Sequence, residues 1–102
     1  MHVDDAADGI VFALEHYSSD RPLNIGAGKD IAISDLAVMI AEVVEFEGKI
    51  VFDESQPDGV FRKLMDSARI NKAGWSARIG LRLGLEETYA WYQGSIAAGQ
   101  AA

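Results

Sequence analysis

The sequence predicts a small α/β (α+β) fold of about four helices and two short strands. Three observations lead there. Apolar residues recur three and four apart in several stretches, two short runs rich in strand-forming residues lie between them, and glycine or proline marks each boundary. With 102 residues and 49% hydrophobic content, the chain supports one core. Such a core buries roughly 60 to 70% of the surface an extended chain exposes. We treat residues 1–102 as a single unit.

In the first helix, Val3, Ala6, Ala7, Ile10, Val11, Leu14 and Tyr17 form one stripe, and Asp4 or Asp5 is placed to cap it. The polar stretch 18–22, ending in Pro22, breaks it. Residues 23–26 then read as a strand running into the turn Gly26-Ala27-Gly28. The second helix carries Leu36, Ile40, Val43 and Val44 on one face, with Ser34 or Asp30 as the expected cap and Gly48 beyond its end.

Residues 49–53, Lys-Ile-Val-Phe-Asp, suit a pleated, half-buried strand. A polar loop follows, in which Pro57-Asp58-Gly59 favours a tight turn. Asp66 or Ser67 starts a short third helix that stops at Gly74, where a left-handed backbone costs least. Leu81, Leu85, Tyr89, Tyr92 and Ile96 define the last helix, which is expected to fray from Gly94 onward. Two short strands make a meagre sheet, so its completion by another domain or a second copy is expected.

Composition excludes several classes. A formal charge of −7, spread along the chain, repels polyanions and argues against nucleic acid. The absence of cysteine removes thiol nucleophiles, thiolate metal sites and disulfides. The start is acidic, and no apolar run approaches the roughly 18 residues of a membrane span, so a soluble, cytoplasmic chain is expected.

Few residues invite a chemical reading. His2 is a lone imidazole without a nucleophile or metal partner, and a structural role or disorder is the better reading. The pair Asp4-Asp5 reads as a helix start, because no third oxygen ligand accompanies it. Trp75, Trp91 and Tyr92 are expected to pack in the core and not to form a sugar-stacking platform. Arg62 and Lys63, beside the 57–59 turn, are the strongest candidates for holding a diphosphate, since a guanidinium grips two oxygens and an ammonium adds a point charge. The plain alternative makes them solvated charges, with Arg62 paired to Asp58 or Asp66.

The ordered series His2-Val3-Asp4-Asp5, Asn24-Ile25-Gly26-Ala27-Gly28, Ile40-Ala41-Glu42-Val43-Val44, Pro57-Asp58-Gly59, Arg62-Lys63-Leu64, Gly74-Trp75 and 87–92 resembles the C-terminal portion of GDP-L-fucose synthases. These are NADP-dependent epimerase-reductases of the extended short-chain dehydrogenase superfamily. The resemblance implies a substrate-domain piece without a complete Rossmann domain. It implies GDP-sugar contacts at Asp58, Arg62 and Lys63, and a homodimeric parent enzyme. The family's cofactor fingerprint and its Ser, Tyr and Lys catalytic set have no counterpart in these residues: Gly26 and Gly28 lack a third glycine and read as a structural turn. No cofactor or metal site is therefore expected in this chain, NADP belonging to the parent family.

Three positions depart from the family pattern. Val60-Phe61 stands where Thr-Pro is usual, Ala32 where a serine cap is frequent, and Gly80-Leu81-Arg82-Leu83 where Ser, Leu and two acidic residues start the last helix. The last change removes a capping box, at about 1 kcal/mol, and puts Arg82 at the positive end of a helix. The expected function is a noncatalytic portion of a GDP-sugar epimerase-reductase. The alternative is a self-associating module, a dimer or larger, without nucleotide-sugar binding.

Overall fold

The computed structural model describes residues 1–56, 59 and 64–99. Four helices form among them: α1 Val3–His16, α2 Ile33–Val43, α3 Ala68–Ala73 and α4 Leu81–Ala97. Each lies where the apolar spacing places it. The two expected strands do not form: residues 23–26 and 49–53 have no ladder partner among the described residues. Val, Ile and Phe suit a strand, but a strand exists only beside a neighbour whose N–H and C=O groups face it.

The helix ends correct several expectations. The first turn of α1 is capped by neither Asp4 nor Asp5. His2 does it, its Nδ1 accepting the Asp4 N–H at 3.0 Å. The caps of α2 and α4 are Ala32 and Gly80, which offer no side-chain acceptor, so Ser34 and Asp30 do not cap α2. At α3 the cap position is Ser67, and the Asp66 carboxylate accepts the Ala68 N–H at 3.0 Å. Gly74 closes α3 in the left-handed region at φ 117°, as expected. The final helix continues past Gly94 to Ala97, with Ser95 buried.

Burial is sparse. Ile70 and Trp75 are the buried apolar residues among those described, while Leu14, Ile33, Val3 and Ile10 stand exposed. Trp91 is 69% and Tyr92 46% exposed, so of the three aromatics expected in the core only Trp75 enters it. The radius of gyration is 16.9 Å, against about 13 Å for a compact domain of this length. The helices thus present apolar faces for which this stretch supplies too little cover.

Helices α2 and α4 lie side by side. Arg82, at the start of α4, reaches Glu42 at 2.6 Å and Glu86 at 3.3 Å. The hydrogen bond to Glu42, followed by its charge, holds the guanidinium proton more firmly than usual. The partners offset the unfavourable position of Arg82 on the helix dipole, although exposed pairs of this kind contribute little to stability.

Candidate functional site

The expected site residues Asp58, Arg62 and Lys63 lie outside the described residues, as does the altered pair Val60-Phe61. The chain that follows them is tied to the 23–26 segment. Asn24 Nδ2 donates to the Asp66 carbonyl at 3.3 Å. Opposite, a Cβ built on Gly26 would stand 3.0 Å from Ser67 Oγ and 3.3 Å from Met65 Cβ. Glycine at position 26 therefore lets residues 65–67 press against the 23–26 segment. The turn is crowded on its Gly26 side, whereas a Cβ on Gly28 would meet nothing within 4 Å.

Four sites in sequence converge on the first turns of α1. Asp5 is 4% exposed, and its Oδ2 accepts the backbone N–H groups of Arg78 at 3.1 Å and Ile79 at 2.8 Å. The left-handed Gly74 turns the chain so that Trp75 N–H meets the Ile70 carbonyl at 3.1 Å and the indole swings onto α1. There Nε1 donates to Asp8 Oδ2 at 2.8 Å, and the ring covers Gly9. His2, whose ring is 8% exposed, sits over Gly84 of α4. Since its Nδ1 accepts a bond, the ring proton is on Nε2, facing Glu87 Oε2 at 3.4 Å. Asp4 stays at the surface. His2, Asp4 and Asp5 thus divide a structural task, and the two aspartates do not converge on one ligand.

Among the described residues, two concave surfaces stand out. A groove of about 1120 Å³ runs between residues 27–39 and 77–81; Ile31, Leu36, Met39 and Ile79 line it, with Lys29 and Arg78 among its charged residues. A smaller cleft of about 400 Å³ lies at α3, lined by Pro22, Asn24, Asp66, Ala68, Arg69 and Lys72. Sequence reasoning passed over Arg69 and Lys72. The signal was present: four of the nine Lys and Arg residues fall between positions 62 and 72, where Asp66 is the sole acid.

At the end of the 49–53 segment, Asp53 accepts bonds from Ser55 Oγ at 2.5 Å, Ser55 N–H at 3.0 Å and Gln56 Nε2 at 3.4 Å. These bonds, the Ser55 hydroxyl first, hold its carboxyl below the usual carboxylate range. The arrangement is a self-contained turn, with no group placed to exchange a proton with it.

No family model matches the chain. Individual relatives do. A probable GDP-L-fucose synthase 1 from Oryza sativa subsp. japonica is 49% identical over 92 residues, which is 90% of this chain and 28% of that protein. The GDP-L-fucose synthase of Escherichia coli K12 is 40% identical over 101 residues, 90% of this chain and 32% of its own length. Among solved structures, a GDP-6-OMe-4-keto-L-xylo-heptose reductase from Campylobacter jejuni superposes with a TM-score of 0.83 at 33% identity, over 93% of this chain and 30% of that one. The chain spans less than a third of the length of each. The helices match and so does their arrangement, and the chain belongs with the GDP-L-fucose synthases as the counterpart of their C-terminal part.

Proposed function

We propose that these residues form the substrate-side portion of a GDP-sugar epimerase-reductase, contributing contacts to the nucleotide diphosphate and no hydride-transfer chemistry of their own. The observation that carries the reading is the 49% identity to a GDP-L-fucose synthase across nine-tenths of the chain. Asp58, Arg62 and Lys63 supply the contacts: Arg62 grips two phosphate oxygens, Lys63 adds charge, and Asp58 completes the set. The tie between Asn24 and residue 66, together with the close approach at Gly26, supports this by anchoring the chain just after Lys63. A cytoplasmic address fits, since nucleotide sugars are soluble anions, and no described helix is long and apolar enough to cross a membrane.

Two measurements test the proposal. Calorimetry with GDP-mannose is expected to give heat from the wild type that Lys63→Ala abolishes; equal heat from both, or none from either, removes the diphosphate site. The chain alone, given NADPH and the 4-keto-6-deoxy sugar nucleotide, is expected not to oxidise the cofactor. Turnover there would overturn the noncatalytic reading.

A second reading is self-association. It is favoured by the exposed stripe of Val3, Ile10 and Leu14 along α1. Light scattering at high concentration is then expected to give a dimer or larger particle, and a strict monomer would sink it.

A further inference from the structure

We propose that the cleft at α3 is a binding site for inorganic hydrogen phosphate, built on Arg69 and Lys72. On α3, Arg69 and Lys72 stand three apart, so their side chains share a face, and both line the cleft. Arg69 Nη1 donates to the Pro22 carbonyl at 3.0 Å, which fixes the guanidinium plane and leaves its other N–H groups for a ligand. Lys72 has no ion pair among the described residues. Arg69 and Lys72 give the cleft two cations against one carboxylate, Asp66, in a chain of net charge −7, so it is a place where an anion is drawn in.

Asp66 decides which anion. Its Oδ1 accepts the Ala68 N–H at 3.0 Å, and its Oδ2 makes no other bond among the described residues. A fully deprotonated oxyanion meets repulsion from this carboxylate. An oxyanion that keeps one O–H places its bare oxygens on Arg69 and Lys72 and donates its proton to Asp66. Near neutral pH inorganic phosphate keeps such a proton and sulfate does not. A phosphate monoester, with its second pKa at about 6, has mostly lost it. The two cations and one acceptor therefore match free phosphate better than either analogue. About 400 Å³ leaves room for the ion and part of its hydration shell.

The test is an NMR titration of the 102-residue chain at neutral pH and constant ionic strength. Inorganic phosphate is expected to shift the Arg69 Nε–Hε and the Ala68 and Lys72 amide signals to saturation, with sulfate and methyl phosphate at least about fivefold weaker. Lys72→Gln weakens phosphate by a similar factor. Asp66→Asn, which retains an acceptor for Ala68, removes the preference for phosphate over sulfate. Lys49→Gln, the same charge removed elsewhere, changes nothing. A wild-type response equal for phosphate and sulfate, or a phosphate affinity untouched by Lys72→Gln, overturns the assignment.

Discussion

Asp5 Oδ2 accepts the backbone N–H of Ile79 at 2.8 Å across 74 positions of sequence, and the same oxygen accepts Arg78 N–H at 3.1 Å. One buried carboxylate oxygen therefore stitches the first turn of α1 to the chain entering α4. Replacing it with alanine leaves two amides without their acceptor, so Asp5→Ala is expected to destabilise by about 2–3 kcal/mol. Asp5→Asn, which keeps an oxygen but loses the charge, should cost about half as much. Urea denaturation of the two variants checks the ranking; equal midpoints for wild type and Asp5→Ala would refute it.

Gly9 tests a competition between two effects. Alanine improves helix propensity by up to about 1 kcal/mol at an interior position. Against this, the added Cβ would stand 2.8 Å from Ile25 Cγ2 and 3.0 Å from Cζ2 of Trp75, whose ring is buried and held by its bond to Asp8. Overpacking of this kind costs about 1–3 kcal/mol, so Gly9→Ala is expected to destabilise, with Trp75 fluorescence reporting a displaced ring.

Trp75 combines ring packing with one hydrogen bond, and two substitutions separate them. Trp75→Phe retains most of the apolar contact and loses the donor to Asp8, for about 1 kcal/mol. Trp75→Ala removes one of the two buried apolar side chains among the described residues and is expected to cost about 3–5 kcal/mol. In so thin a core that loss should unfold the chain at room temperature, seen as collapse of the far-ultraviolet helix signal.

Asp53 sets a local pH dependence. Its carboxyl is depressed by the Ser55 and Gln56 bonds, so the turn's stabilisation is present above the ordinary Asp range and is lost as pH falls through the depressed value. Carboxyl-carbon NMR is expected to show Asp53 titrating below the ordinary aspartate range, with the Ser55 amide losing protection in the same step. In Asp53→Asn that step should vanish while the helices remain intact.

The helices were legible because each helix carries its own evidence in spacing and punctuation. Gly74 had to be left-handed to end a six-residue helix, and it is. Caps were less legible: any Asp, Ser or Asn near a helix start is a candidate, and His2 took the position of α1 that Asp4 and Asp5 were expected to hold. Asp5 is the instructive case. Its charge suggested a surface cap, whereas its place opposite two amides more than seventy positions away made burial favourable.

Periodicity, punctuation and the ordered short motifs were enough, by themselves, to establish four helices and kinship with the GDP-L-fucose synthases, because both are properties of local residue order. Tertiary structure alone decided that the strand-like runs find no ladder partner among the described residues, that Trp75 enters the core while Trp91 does not, and that Arg69 and Lys72 meet Asp66 around one cleft. Pairing, burial and convergence each depend on a second segment arriving at the right distance, and a residue's own neighbours along the chain carry no record of that arrival.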